Sequence, residues 1–162
     1  MTKTNAMRLL EQAKITYQTS QYDYSEEDLS GVHAAEVLGF DPAMVFKTLV
    51  TRGDKTGPVV FVIPVAQELD LKKAAKVSGN KSVAMVHVKE LLVLTGYIRG
   101  GCSPIGMKKK FPTYVDESAL DQTIISISAG MRGKQILLAP QDLLAYLGAK
   151  TADLTQKETG NE

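Results

Sequence analysis

"MVFKTLVTRGDKTGPVVFVIPV", Met44 to Val65, decides the fold. Two runs rich in β-branched and aromatic residues flank Arg52-Gly53-Asp54-Lys55-Thr56-Gly57-Pro58. Glycine, aspartate and proline in that spacing predict a hairpin-type turn. Val45–Thr51 and Val59–Val65 are therefore read as paired strands, and the unbroken apolar run of the second predicts a central one. Lys47 sits in the middle of the first run. A lysine is seldom fully buried without a partner, and burying its charge is costly. It either points to solvent on the pleat's other face or lines a cavity where its charge is used.

The same reading extends outward. Asn5–Ala13 carries Met7, Leu9, Leu10 and Ala13 at helical spacing, and Ile15–Tyr24 alternates like a strand. Ser25–Ser30 is polar and loop-like. Val32–Leu38 predicts a helix closed by Gly39, and Asp41-Pro42 a short helical turn. Asp70–Val77 reads as a helix capped by its aspartate and ending near Gly79. A short strand at Val83–Val86 and a helix at Lys89–Thr95 follow. The loop Gly100–Gly106, the strand Thr113–Val115 and a helical turn at Asp116–Leu120 come next. Thr123–Ser128 and Gln135–Ala139 read as strands around "SAGMRG", and Pro140–Leu147 as the closing helix before Gly148. Thr151–Glu162 is polar and expected to fray. Interspersed strands and helices with hairpin-sized gaps indicate an α+β domain with a mixed, largely antiparallel sheet. One domain over residues 1–150 and a polar tail over 151–162 is the simplest division.

The chain of 162 residues suits a single domain with a sizeable core. No apolar run approaches the ~20 residues that span a membrane, and the first residues lack a signal-peptide core, so a cytoplasmic location is the default. One cysteine, Cys102, precludes an internal disulfide, and no cysteine/histidine cluster suggests a metal. Charge is lopsided: Lys72–Lys110 holds nine Lys/Arg and one acid, Glu90, giving +8 locally against +1 for the whole chain. Asymmetry of that size points to a polyanionic partner on one face, with a solubilising lysine surface as the plainer alternative.

Motifs of common chemistries are missing. There is no P-loop and no GxGxxG after a strand, and "GKQI" at Gly133 lacks the upstream glycines. There is no GxSxG elbow. What remains are two polar glycine loops beside apolar strands, "YIRGGCSPIGMKKKF" (Tyr97–Phe111) and "SISAGMRG" (Ser126–Gly133). Successive N–H groups at Gly100-Gly101 suit an anion or a developing oxyanion, although a plain tight turn is the commoner reason for an isolated Gly-Gly pair.

"GVHAAEVLGFDPAMVFKTLV", "LDLKKAAK", "TGYIRGGCSPIGMKKKFPTYVDESAL" and "ISAGMRG", in this order, strongly resemble the YbaK/EbsC family. Its members are freestanding aminoacyl-tRNA editing domains related to the editing insertion of bacterial prolyl-tRNA synthetases. The similarity runs from the first helix to Leu147. It implies an α+β fold with a mixed, mostly antiparallel, barrel-like sheet and surrounding helices. It implies removal of cysteine from mischarged Cys-tRNA(Pro) and Cys-tRNA(Cys), with no cofactor and no metal. The partner implied is the acceptor end of a mischarged tRNA, with prolyl-tRNA synthetase as a candidate third member of the complex. Monomer and weak dimer both stay open. Alternatives are an editing domain acting on Ala-tRNA(Pro) or another small misacylated residue, and a non-catalytic tRNA- or synthetase-binding regulator.

By the same resemblance the family's essential lysine falls on Lys47, its tyrosine on Tyr22, its glycine pair on Gly100 and Gly101, and its serine on Ser128. Phe46, Thr48, Ser103, Pro104 and Arg132 are implied to bind substrate. Lys72, Lys73, Lys76, Lys108, Lys109 and Lys110 would follow the tRNA backbone through sequence-independent contacts. Three positions depart from the family pattern. Gln135 stands where characterised deacylases carry an aspartate, and Val32 and His33 replace acidic residues. His33 reads as a surface or helix-capping residue. Cys102 reads as structural, because no histidine partner is apparent and the implied chemistry takes its nucleophile from the substrate thiol.

Overall fold

The computed structural model describes residues 3–156. The hairpin is present: β2 (Phe46–Gly53) pairs antiparallel with β3 (Gly57–Pro64), from Phe46 opposite Pro64 to Gly53 opposite Gly57. Its turn is held from outside, since Asn80 Oδ1 accepts the backbone N–H groups of Lys55 at 2.9 Å and Thr56 at 3.0 Å. Outward from the hairpin, β2 pairs antiparallel with β4 (Val83–Met85). On the other side β3 pairs in parallel with β5 (Thr113–Asp116), and β5 in parallel with β8 (Lys150–Ala152). A second sheet orders β1 (Gln18–Gln21), β7 (Lys134–Leu138) and β6 (Ile125–Ser128), all antiparallel.

The sheet expected to be barrel-like is thus two open sheets, of three and five strands. They touch through one parallel bridge, Val45 to Ser126. Beyond that bridge they diverge, because β6 stays with β7 while β2 continues beside β3.

Pleat alternation divides β3 between two cores. Val60 and Val62 face the main cluster with Met7 and Leu10 of α1 (Asn5–Gln12), Ile125, Ile127, Ile136 and Leu143 of α5 (Pro140–Leu147). Val59, Phe61 and Ile63 face a second cluster with Ala74 and Ala75 of α3 (Leu71–Ser78). The helix ends follow local chemistry. Asp70 caps α3 by accepting from Lys72 N and Lys73 N, and Ser30 caps α2 (Gly31–Leu38) by accepting from His33 N. Gly39 and Gly79 close α2 and α3 at positive φ, 72° and 78°, a region glycine enters without a Cβ penalty. α4 (Val88–Thr95) lies over the outer edge of β2, tied there by Arg52 to Glu90 at 2.7 Å.

Two expectations change at the ends of the chain. β1 is shorter than the alternating stretch Ile15–Tyr24, because only Gln18–Gln21 reaches a partner strand. Residues 151–156 are not a tail. Thr151 and Ala152 pair with β5, Leu154 is fully buried in the second cluster, and Thr155 bridges to Leu69. The remainder of that expected tail, 157–162, lies outside the described residues. Among the described residues no helix is long and apolar enough to cross a membrane.

Candidate active site

The site begins with a gap in a sheet edge. β6 takes the outer edge of β2 at Val45, and β4 takes it from Thr51 onward, with Val86 N donating to Val50 O just before. Between them, residues 46–49 have no strand partner on that side among the described residues. A cavity of about 410 Å³ opens there, within the range of small-molecule sites. Because it wraps around a bare strand edge, it meets side chains from both faces of β2. Phe46, Thr48 and Val50 point toward the main core and Lys47 and Leu49 the other way, yet all five line it.

Lys47 is half-buried, lines the cavity and makes no ion pair among the described residues. Thr48 Oγ1 is buried with no hydrogen-bond partner among the described residues. An orphaned buried hydroxyl costs stability, and a bound polar group would recover it. Tyr22, Ser128 and Gln135 complete the polar lining from the smaller sheet. Burial pushes the Tyr22 phenol up, partly offset by a hydrogen bond with the Gly133 backbone, so it stays a neutral donor. Ser128 Oγ accepts from Gly130 N at 3.2 Å.

The glycine loop enters differently from its expected role. Arg99, Gly100 and Cys102 line the cavity, while Gly101 N–H donates to Ile98 O at 3.0 Å. Gly101 therefore offers no free N–H for an oxyanion. It is needed for close approach instead: a Cβ there would lie 3.0 Å from Arg132 N and 3.1 Å from Met131 C. Gly100 adopts φ +86°. Ser103 and Pro104, expected to bind substrate, are fully buried away from the cavity, and Ser103 Oγ accepts from Ile105 N at 3.2 Å inside the turn. Arg132 likewise braces rather than lines, its Nε donating to Arg99 O at 2.9 Å.

Tyr97 has no counterpart in the expected set. Its hydroxyl donates to Ile105 O, and its ring fills the space a Cβ on Gly106 or Gly130 would need. It staples the two glycine loops together. The sequence signal was present, an aromatic at the head of one loop with unpaired glycines in both, but only the fold brings them into contact.

The lysines split. Lys73 Nζ donates to Asp153 at 2.9 Å and Thr155 O at 2.8 Å, so it fastens the C-terminal segment rather than reaching outward. Lys72 and Lys76 are exposed on α3, beside the second cluster. Lys108–Lys110 are exposed between Met107 and Phe111, which pack on the main cluster. His33 does not line the cavity; its ring is 3.8 Å from Asp28.

Cys102 touches the cavity, yet burial pushes its thiol up to about 12, against a weaker lowering by Thr95. Only about one thiol in ten thousand is then ionised at pH 8, so its alkylation by iodoacetamide in the native protein should run about 10³-fold below free cysteine. Mass spectrometry over time reads this directly, and a rate near that of the free thiol would show an accessible thiolate. Cys102→Ser should keep near-normal turnover.

Against known proteins, the profile of the aminoacyl-tRNA editing domain matches residues 28–146. The Enterococcus faecalis protein EbsC, provisionally named a Cys-tRNA(Pro)/Cys-tRNA(Cys) deacylase, is 57% identical over 156 residues, 96% of this chain and 95% of its own. A proline–tRNA ligase of Thermodesulfovibrio yellowstonii is 32% identical over 87 residues, 54% of this chain and 15% of the ligase. A solved structure described as a provisionally assigned trans-editing enzyme for prolyl-tRNA synthetase superposes with TM-score 0.80 at 26% identity, covering 96% of this chain and 100% of that one.

Proposed function

Since the chain belongs to the aminoacyl-tRNA editing domain family, we propose that it is a trans-editing deacylase that removes cysteine from mischarged tRNA. The observation that carries this is the cavity: a lysine without an ion pair, a threonine hydroxyl without a partner and an unpaired strand edge, each so among the described residues, meet in a pocket of aminoacyl size.

The lining supplies cations, hydroxyls and an amide, but its one thiol is held protonated. The nucleophile is then taken from the substrate. A cysteinyl thiol has a pKa near ~8.5, so a modest shift gives useful thiolate. Its sulfur attacks its own ester carbonyl. A C–S bond forms, the C–O bond to the ribose breaks, and the thiol proton passes to the leaving 3′ oxygen. The products are a cyclic thioester of cysteine and a tRNA with a free 3′ end. The protein holds the compact conformer and stabilises the developing oxyanion. Lys47 supplies charge at the carbonyl or the terminal phosphate, and the backbone at Gly100 is the loop's remaining candidate donor. Tyr22 and Ser128 orient the ribose and the acyl group. Lys108–Lys110, at the exit of the glycine loop, are the lysines best placed to follow the acceptor strand, with salt-sensitive contacts. A synthetase in a ternary complex would account for tRNA choice without base readout by this chain.

The test compares deacylation of Cys-tRNA(Pro), Ala-tRNA(Pro) and correctly charged Pro-tRNA(Pro) at matched enzyme concentration. The cysteinyl ester should be cleaved at least ~10²-fold faster than the others, in line with what positioned groups contribute. Equal loss of the alanyl ester would move the assignment to an enzyme that activates water.

A further inference from the structure

The cavity's charges are of one sign. Its charged lining residues are Lys47 and Arg99, and no carboxylate lines it among the described residues. Two acids outside the lining are engaged elsewhere. Asp28 accepts from Ser30 N and faces His33, and Glu26 faces Arg132 at 3.9 Å. Inside, Gln135 occupies the wall between Ser20 and Ser128, its partners across β1 and β6. Ser126 is fully buried, and its hydroxyl donates to Gln135 Oε1 at 2.8 Å. That bond engages the amide oxygen, so Gln135 brings no anionic acceptor to the cavity. The wall thus adds no negative charge to oppose Lys47 and Arg99.

An aminoacyl ester brings an α-amine that is partly protonated near neutral pH. Two cations with no carboxylate in the lining disfavour the ammonium and favour the neutral amine. Binding then gains no ion pair from that group, and the hydroxyls of Thr48 and Ser128 contact an uncharged ligand as well as a charged one. We propose that this cavity recognises the acyl ester through its carbonyl and ribose end and draws no affinity from the α-amine. Its substrate class is therefore short acyl esters of the tRNA 3′ end, including those that lack an amine, with Gln135 as the residue that removes the amine requirement. This inference rests on the deacylase reading above.

The experiment separates binding from reaction by using two stable amide analogues on 3′-amino-3′-deoxyadenosine, one acylated with cysteine and one with 3-mercaptopropionate. Calorimetry on the intact protein gives both Kd values. The amine-lacking analogue should bind within fivefold of the cysteinyl one, or more tightly. A cysteinyl analogue more than fivefold tighter overturns the proposal, and so does failure to bind either. Gln135→Glu, checked for folding by circular dichroism, should shift the ratio at least fivefold toward the amine-bearing analogue. An unshifted ratio in the folded variant removes Gln135 from the role. Deacylation of Cys-tRNA is followed alongside: intact binding without turnover sinks the proposed reaction and leaves this inference standing.

Discussion

Lys47→Ala is expected to lower deacylation of Cys-tRNA by about 10²–10³-fold, the usual effect of removing one preorganised charge or donor from an oxyanion site. The fold should survive. Lys47 is half-buried at an unpaired strand edge and makes no ion pair among the described residues, so its loss strands no buried partner. Urea unfolding should move by less than about 1 kcal/mol, as for a substitution that breaks no cap, core contact or network. Lys47→Arg sharpens the result, because a planar guanidinium keeps the charge but not the point geometry of an ammonium. If charge alone suffices, arginine should restore part of the rate. A Lys47→Ala protein with wild-type rate would place the chemistry elsewhere.

The second large effect is expected at Gly101. Its added Cβ would meet backbone of Met131 and Arg132, which cannot rotate away as a side chain does. Gly101→Ala should part the two glycine loops, move Gly100 and Ser128 from register, and cost about 1–3 kcal/mol, the usual price of overpacking. Activity should fall at least tenfold, since small misplacements of positioning groups are costly. Gly57→Ala supplies the control. A Cβ at Gly57 meets nothing within 4 Å, but its φ of +76° is strained for alanine. That variant should lose roughly 1 kcal/mol and keep its rate. Equal activity losses in both would mean that global stability, and not loop docking, limits turnover.

These predictions mark what the sequence can and cannot carry. The hairpin, the Asp70 cap and the glycine stops at Gly39 and Gly79 were readable because each depends on neighbours a few residues away. The cavity was not. It exists because β6 leaves β2 after Val45 and β4 arrives only at Thr51, and no local pattern encodes where two distant strands compete for one edge. Lys47 was singled out as an awkward charge, and the fold supplied the gap that employs it. The same limit explains the lysines. Helical spacing put Lys73 beside Lys72 and Lys76, but its ion pair with Asp153 depends on a segment eighty residues away that read as a polar tail. Burial of Leu154 is what turns that segment into structure. Gly101 was rightly marked as unusual, for a reason that changed from donating an N–H to admitting a neighbouring backbone.

In the proposed reaction the substrate's own sulfur attacks the ester carbonyl. The decisive comparison presents Cys-tRNA(Pro) and Ser-tRNA(Pro), which differ in one atom, under single-turnover conditions with product analysis. The cysteinyl ester should be cleaved at least ~10²-fold faster, with the cyclic thioester trapped among the early products, because a hydroxyl is far less ionised than a thiol. Equal rates for the two esters, or free cysteine as the first product with no cyclic thioester, would contradict it.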